Sequence, residues 1–324
     1  MNVFFSAEYV DTEIGFDTTR KAAAIAASLH ERPIPGVVLI EPRPADRGDL
    51  LTVHEAAYVD AVLTGKPLER ATSNQLPGWD DGLAKAVLAS TGGVRDAALH
   101  ALSTGAIAGS LSSGLHHAHV DHGSGYCTCN GLVVAARAAI SAGAQRVLIL
   151  DLDAHCGGGT ASLIESIEQV EQIDVSVDPF DTYESRSDVR LSMATASDYL
   201  EVIGRELERI VEPMAIDLVL YNAGMDPHEG AGGVTGIDAR MLARRELMVF
   251  DWATGWSLPV AWVLAGGYTD GNERASISMS ELVDLHRLTI AAAAKASAEP
   301  AATSASTSAS TSASTNDEVR PDRS

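Results

Sequence analysis

Residues 147–160 read VLILDLDAHCGGGT, and this stretch indicates the fold class and marks a candidate site. Its apolar run at 147–150 is continuous, as in a strand covered on both faces, so we predict a buried strand at 147–152. Asp151, Asp153 and His155 follow one another at intervals of two residues. Side chains two apart point to the same side of an extended chain, so these three groups can converge where the strand ends.

The rest of the chain alternates between short apolar runs and alanine-rich segments. We predict strands at 2–6, 37–41, 147–152, 174–177, 218–221 and 260–264. We predict helices at 19–29, 82–102, 131–142, 161–169, 196–211, 238–253 and 276–296. Strands that alternate with helices form a parallel sheet flanked by helices, and ligands bind beyond the carboxyl ends of its strands. The sequence therefore predicts an α/β fold whose functional motifs follow strands.

The segment 151–155 has the composition of a metal site. Carboxylates and an imidazole at this spacing suit a divalent transition metal such as zinc, and they also accept iron(II) or cobalt. In a plainer interpretation the aspartates only cap the helix that follows. A cap accounts for one carboxylate but not for two and a histidine, so we favour the metal site.

Three further segments carry candidate functional side chains. Residues 113–130, SGLHHAHVDHGSGYCTCN, contain the tandem histidines His116 and His117 in a loop before a predicted helix. Residues 221–230, YNAGMDPHEG, place Asp226 just after a predicted strand, although glycine, aspartate and proline also build ordinary turns. Residues 264–268, LAGGY, place Tyr268 at another strand end, where a single tyrosine more often serves packing than catalysis.

Together the four segments indicate metal-assisted hydrolysis. Three ligands of the aspartate and histidine type leave a zinc ion one position open for water and substrate. The tandem histidines would then act as acid and base, and Tyr268 would donate a hydrogen bond to the oxygen that gains charge.

The composition limits the partners of the protein. The chain has 324 residues and a formal net charge of −21, which argues against nucleic acid or an anionic membrane as a partner and favours a cationic substrate. Three cysteines do not form a disulfide framework. No apolar run approaches a membrane span, and the first residues do not have the pattern of a secretory signal. We therefore expect a cytoplasmic protein.

The last residues differ in composition from the rest. TSAS repeats begin at Thr303, Thr307 and Thr311, and large apolar residues are nearly absent. Such a segment cannot bury enough apolar surface to offset the entropy of ordering, so we predict a disordered tail at 297–324. Because the candidate ligands run from Asp153 to Asp226 and the tyrosine lies further on, residues 1–296 should close as one catalytic domain.

In this order, the four segments resemble the histone deacetylase superfamily, which includes bacterial deacetylase-like amidohydrolases, acetylpolyamine amidohydrolases and acetoin-utilisation proteins. Residues 50–62, LLTVHEAAYVDAV, and 90–102, STGGVRDAALHAL, are also similar to the N-terminal half of that family. The resemblance implies the arginase/deacetylase fold, a single parallel sheet of about eight strands between helices, with the site in long loops. It also implies hydrolysis of an acyl amide by zinc-activated water.

The resemblance implies a set of metal ligands. Asp153, His155 and Asp226 match the zinc ligands of the family. A potassium ion beside the zinc is also implied, held largely by backbone carbonyls around Asp151, Asp153 and His155, with Asp181 as its side-chain neighbour.

The resemblance also implies roles for the remaining motif residues. His117 matches the main general base and acid, His116 its electrostatic partner, and Asp151 the carboxylate that orients His116. Tyr268 matches the tyrosine that hydrogen-bonds the carbonyl oxygen. The implied substrate is an acylated amine: an acetyl-lysine peptide, an acetylpolyamine or a small amide.

A substrate tunnel is implied as well. Gly125 and Tyr126 match the glycine–aromatic pair that lines the acyl-lysine tunnel, and Gly266 and Gly267 match part of its wall.

The chain departs from the family pattern in two places. Cys156, Gly157 and Gly158 stand where the family has a second histidine, a glycine and an aspartate or asparagine, so Gly158 removes the group that would orient His117. We interpret Cys156 as a small buried thiol in preference to a redox-sensitive one. The usual N-terminal motif is replaced by GFDTTRKAAAI at 15–25, which keeps Arg20 at an equivalent position.

Two alternatives remain. Gly158 and Cys156 fit a degenerate family member that binds acylated ligands or protein partners without turnover. A ureohydrolase such as an arginase or agmatinase has the same fold, but residues 221–230 lack the doubled aspartates of its two-manganese site, so we rank it lower.

Overall fold

One eight-stranded sheet lies at the centre of residues 1–298, which are the residues that the computed structural model describes. Every pair of neighbouring strands is parallel. The strands are β1 Asn2–Phe4, β2 Val38–Ile40, β3 Ile107–Ser113, β4 Val147–Asp151, β5 Val170–Ser176, β6 Val189–Met193, β7 Leu218–Ala223 and β8 Val260–Leu264. Their order across the sheet is β2-β1-β3-β8-β7-β4-β5-β6. The predicted parallel α/β fold is confirmed.

Helices cover both faces of this sheet. They are α1 Asp17–Glu31, α2 Arg47–Leu51, α3 Ala56–Thr64, α4 Leu68–Ala71, α5 Asp81–Thr104, α6 Gly131–Ser141, α7 Gly158–Ile164, α8 Tyr199–Glu208, α9 Ala239–Gly255 and α10 Met279–Ala298. Short 3-10 helices lie at Ala7–Val10 and Pro213–Ala215. None of the helices among residues 1–298 is long and apolar enough to cross a membrane.

The central strands are apolar on both faces because each face has its own core. In β4, Leu148 and Leu150 pack with residues of α1, α8, α9 and α10. The alternate residues, Val147 and Ile149, pack on the other side with residues of α5, α6 and α7. Side chains alternate along a strand, so a continuous apolar run fills two cores at once. This explains why the apolar run at 147–150 predicted a buried strand.

Two strands escaped the sequence analysis. Strand β3 reads IAGSLSS, and Ile107 is its only β-branched or aromatic residue, the types typical of strands, yet all seven residues are buried. Position 109 requires glycine, because a Cβ atom there would lie 2.0 Å from Cε2 of Trp262 on β8. Strand β6, VRLSM, lies at the edge of the sheet and is mostly half-buried. Strand β3 was therefore missed because most of its residues are small or polar, and β6 because it lies at the edge of the sheet.

The strand order brings the motifs together. The loops after β3, β8, β7, β4 and β5 leave from neighbouring positions on the carboxyl edge of the sheet. These loops carry the tandem histidines, Tyr268, Asp226, the segment 151–155 and Asp181, respectively. Of the predicted tail at 297–324, only its first two residues lie inside the described part, and they continue α10. The division at residue 296 stays a prediction.

Candidate active site

Two aspartates and a histidine converge where β4 and β7 end. One ligand atom from each of Asp153, His155 and Asp226 can be chosen so that all three lie within 4.8 Å of one another. Nδ1 of His155 lies 3.1 Å from Oδ1 of Asp153 and 3.1 Å from Oδ2 of Asp226. Both carboxylates are buried. This group can hold a metal ion.

The two carboxylates are held by backbone amides and by glycines that leave them room. The amide of Ala154 donates to Oδ1 of Asp226 at 3.0 Å, and the amide of Gly266 donates to Oδ2 of Asp153 at 2.6 Å. A Cβ atom on Gly266 would lie 1.9 Å from Oδ2 of Asp226, so only glycine fits there. Apart from its contact with Nδ1 of His155 within the group, Oδ2 of Asp226 is buried without a hydrogen-bond partner among residues 1–298.

The tandem histidines lie beside this group. Nε2 of His116 lies 3.0 Å from Nε2 of His117 and 3.6 Å from Oδ1 of Asp153. Nδ1 of His116 lies 2.7 Å from Oδ2 of Asp151, and the side-chain amide of Asn222 donates to the other oxygen of Asp151 at 2.8 Å. The His116 ring thus lies between two carboxylates, with Asp151 at its Nδ1 and Asp153 at its Nε2.

The two histidines differ in electrostatic environment. Burial opposes the charged form of His116, but Asp151 and Asp153 outweigh it and raise the pKa of His116 to about 10. Burial and the neighbouring His116 charge together lower the pKa of His117 to about 4, against the opposing effect of Asp181. One ring therefore favours the cation and the other the neutral base, as an acid–base pair requires.

Tyr268 lies near the metal-ligand group. Its ring centroid is 6.4 Å from that of His155. Burial and the charges of Asp226 and Asp153 raise the pKa of its hydroxyl well above the usual value. Tyr268 therefore keeps its proton and can donate a hydrogen bond. A small cavity is lined by His116, His117, Gly125, Asp153, Gly266 and Tyr268, among other residues.

The predicted tunnel residues do not all line this cavity. Gly125 lies so close to His117 that a Cβ atom would be 2.6 Å from its ring. The Tyr126 ring instead stacks on Phe16, with centroids 4.0 Å apart. Gly267 has φ +136°, and a Cβ atom there would point at Leu282 of α10. The role of these residues as a tunnel wall stays a prediction.

Phe180 belongs to the site but was missed in the sequence. Its ring meets the His117 ring edge-on at 4.9 Å and the His155 ring at 5.9 Å, and it is 42% exposed. It follows β5 in the run DVSVDPF, so the rule that ligands bind beyond strand ends could have found it.

Asp174 was also missed because it lies inside β5. It is buried, and burial together with the charge of Asp151 raises its pKa to about 7. Its Oδ2 accepts hydrogen bonds from the amide of Gly157 at 2.7 Å and from the Tyr183 hydroxyl at 3.0 Å. Asp174 therefore supports the segment that carries the metal ligands.

At the N-terminal end, Lys21 and not Arg20 approaches the site. Arg20 is exposed and only contacts the carbonyl of Glu13, at 3.5 Å. Lys21 is fully buried and donates to the carbonyl of Ala265, just before Gly266. Burial lowers the pKa of Lys21 to about 8, while Asp226 and Asp153 favour its charged form. Arg20 and Lys21 are adjacent on α1, so the sequence alone does not show which of the two cations faces the site.

Cys156 is fully buried, and burial raises the pKa of its thiol to about 12. The thiolate is the reactive form, so this environment favours the interpretation as an unreactive packed thiol.

Comparisons with known proteins agree with this arrangement. A profile of the histone deacetylase domain matches residues 16–283. An uncharacterized protein of Picosynechococcus sp. is 34% identical over 259 residues, which cover 78% of this chain and 84% of that protein. Histone deacetylase 2 of Arabidopsis thaliana is 25% identical over 296 residues, covering 85% and 76% of the two chains. A probable deacetylase of Methanothermobacter thermautotrophicus is 28% identical over 266 residues, covering 71% and 73%.

Among solved structures, the crystal structure of the HDA15 HD domain aligns with a TM-score of 0.72 and 24% sequence identity. The alignment covers 90% of each chain. At this identity the likeness establishes the fold.

Proposed function

Because this chain belongs to the histone deacetylase family, we propose that it hydrolyses the amide bond of an acylated amine with the help of a bound divalent metal ion. The products would be a short carboxylic acid and a free amine. The observation that carries the proposal is the placement of the histidine pair beside the metal-ligand group, with Nε2 of His116 3.6 Å from Oδ1 of Asp153.

Zinc is the metal we propose, with iron(II) as the other candidate. Two ligand atoms about 2.0–2.1 Å from one tetrahedral zinc ion lie about 3.3 Å apart. The two ligand-atom separations at His155 are both 3.1 Å, close to that value. Oδ2 of Asp226 also fits a metal ligand, because a buried carboxylate oxygen is usually hydrogen-bonded, whereas among the described residues this one has only the His155 ring nitrogen beside it. When bound, the metal would polarise the acyl carbonyl and lower the pKa of a coordinated water.

His117 is proposed as the general base and acid. Its Nδ1 is occupied by Asp181 at 2.8 Å, and its Nε2 points into the site, toward His116. The neutral ring favoured by burial can take a proton from the attacking water and pass one to the leaving amine. His116, held by Asp151, supplies positive charge next to the reacting atoms.

Tyr268 is proposed to donate a hydrogen bond to the acyl oxygen as that oxygen gains charge. Its raised pKa supports this role, since a phenolate could not donate. Gly266 lines the cavity beside Asp226, where any side chain would collide with the ligand carboxylate.

The acyl chain would enter past Gly125 and Phe180, which both lie against the ring of His117. The net charge of −21 supports a cationic acylated amine, such as acetyl-lysine or an acetylpolyamine. A potassium ion beside Asp151, Asp153 and His155, with Asp181 as its side-chain neighbour, remains part of the proposal. The two buried carboxylates of Asp151 and Asp174 support it, because their mutual repulsion favours a nearby cation.

We also keep the cytoplasm as the proposed location. All three cysteines are unpaired, as expected in a reducing compartment.

The test is turnover of a fluorogenic acetyl-lysine peptide with and without a chelator, followed by a panel of acetylated peptides, acetylpolyamines and small amides. We expect chelator-sensitive turnover that returns when the metal is added back. A protein that binds stoichiometric metal yet turns over no acylated amine would contradict the proposal and support the degenerate binding protein. Urea release from arginine or agmatine would instead support the ureohydrolase.

A further inference from the structure

The Asp181 side chain is built into the immediate surroundings of His117. Its Oδ2 lies 2.8 Å from Nδ1 of His117, and the amide of Gly159 donates to the same oxygen at 3.1 Å. Its Oδ1 lies 3.5 Å from Nε2 of His119. The Asp181 side chain is only 15% exposed. A carboxylate held by several donors in a largely buried place has a fixed orientation.

The absence of a side chain at position 158 makes this contact possible. A Cβ atom on Gly158 would lie 2.4 Å from the carbonyl oxygen of Asp181 and 2.5 Å from its Oδ1. Asp181 has φ +59°, a left-handed conformation that few residues other than glycine, asparagine and aspartate adopt. A strained backbone at a site residue persists where the surroundings fix it.

The loop that carries Asp181 is tied to the metal-ligand segment. The amide of Cys156 donates to the carbonyl of Phe180 at 3.0 Å. The amides of Val177 and Asp178 both donate to the carbonyl of Ala154, at 2.9 and 2.8 Å. Because of these bonds, the loop after β5 runs alongside residues 154–156, and Asp181 lies next to His117.

A single assignment of protons satisfies a neutral His117 in this arrangement. Asp181 can only accept, so Nδ1 of His117 carries the proton and its Nε2 holds a lone pair. Nε2 of His116 then donates to that lone pair across 3.0 Å, and Nδ1 of His116 donates to Asp151. Hydrogen bonds thus run from Asp181 through both histidines to Asp151.

We propose that Asp181 is a positioning residue that fixes the Nδ1–H tautomer of His117, so that Nε2, the nitrogen that faces the site, carries the lone pair, and that Gly158 leaves the space that Asp181 occupies. The inference rests on the proposed function, in which His117 moves protons. Asp181 acts through His117 and does not touch the reacting atoms.

Two variants suit the left-handed backbone. Asp181→Gly removes the carboxylate and relieves the strain, and Asp181→Asn keeps an acceptor oxygen without the charge. Glu184→Gln is the matched control, since Glu184 is an exposed acid on the same loop. We expect kcat of Asp181→Gly to fall about 10–100-fold, with its KM within about threefold of the wild-type value. The kcat of Asp181→Asn should lie between those of Asp181→Gly and the wild type. Glu184→Gln should match the wild type.

A second measurement does not depend on turnover. Nitrogen-15 NMR of histidine-labelled protein reports which ring nitrogen carries the proton, and His117→Gln assigns the His117 signals. We expect Nδ1–H in the wild type and in Glu184→Gln, and a shift toward Nε2–H in Asp181→Gly. An unchanged His117 tautomer in Asp181→Gly, or a kcat within threefold of the wild type, would overturn the inference. Failure of the proposed function shows differently, as a wild type without turnover, and the tautomer still decides the role of Asp181.

Discussion

Nδ1 of His116 lies 2.7 Å from Oδ2 of Asp151, and both side chains are buried. The two residues are 35 positions apart, at the ends of β3 and β4. The side-chain amide of Asn222, at the end of β7, fixes the other oxygen of Asp151. Three strand ends therefore cooperate to set the orientation of one imidazole, and this gives a first prediction.

Asp151→Asn should lower kcat about 10–100-fold, because an amide neither supplies the charge nor fixes the ring as the carboxylate does. The measurement is kcat on the acylated amine that the wild type turns over best, together with bound metal by elemental analysis. Asp251→Asn, at an exposed position on α9, is the control and should behave as the wild type. A full rate for Asp151→Asn with normal metal content would show that His116 does not need this partner.

Tyr268→Phe should lower kcat about 100-fold while the metal content stays unchanged, since only the hydrogen-bond donor to the acyl oxygen is lost. Steady-state kinetics and elemental analysis check this. Tyr9→Phe is the matched control, because Tyr9 also has a buried hydroxyl. That hydroxyl lies 3.1 Å from Oγ of Ser110 and is not part of the site. Equal rates for the two variants would mean that Tyr268 has been assigned the wrong role.

Removing the metal should lower the melting temperature. Without a cation, the buried carboxylates of Asp153 and Asp226 lie close together and repel each other; this repulsion contributes, after burial, to raising the pKa of Asp226 to about 6. A ligand at about 100 times its Kd stabilises the folded state by about 2.7 kcal/mol. Thermal unfolding with and without chelator measures the shift. It should vanish in Asp226→Asn and persist in Asp284→Asn, which alters an exposed ion pair with Arg32. A chelator shift that survives in Asp226→Asn would place the metal elsewhere.

His54 should make stability depend on pH. Burial lowers its pKa from 6.5 to about 4. The neutral ring suits its neighbours, since Nε2 accepts from the amide of Asn130 at 3.0 Å and Nδ1 lies 2.7 Å from the carbonyl of His119. Between pH 6.5 and 4 the unfolded chain binds a proton that the folded chain does not. The free energy of unfolding should therefore fall by about 3 kcal/mol as the pH drops through this range.

Urea unfolding of the wild type and of His54→Gln from pH 4 to pH 7 tests this. The variant cannot titrate at position 54, so its stability should fall less across that range. Parallel pH profiles for the two proteins would exclude His54 as the cause.

Gly109→Ala should destabilise the sheet by about 1–3 kcal/mol, because the new methyl group would overlap the Trp262 ring on the neighbouring strand. Denaturant unfolding measures the loss. Gly255→Ala is the control: its Cβ would meet nothing within 4 Å, so stability should be unchanged or slightly higher. A neutral Gly109→Ala would mean that β3 and β8 can move apart without loss.

Much of the site could be predicted because its residues lie in short segments. Asp153 and His155 are two residues apart, so strand geometry alone places them together. Asp226 and Tyr268 each follow a strand, and parallel strands end at one edge of the sheet. Lys21 and Asp174 could not be identified this way, since one lies on a helix and the other within a strand, and only the packing shows which side of each element faces the site.

The sequence by itself determined the alternation of strands and helices and the four segments that bring aspartates, histidines and a tyrosine to strand ends. These are local patterns, and local backbone geometry makes them readable. Only the tertiary structure decided which acid orients His117. The sequence showed a glycine at 158 and a missing partner, while the partner, Asp181, lies 64 positions from His117 along the chain. The physical reason is that a hydrogen bond depends on distance in space, which the sheet order and the loop after β5 set and which no local spacing records.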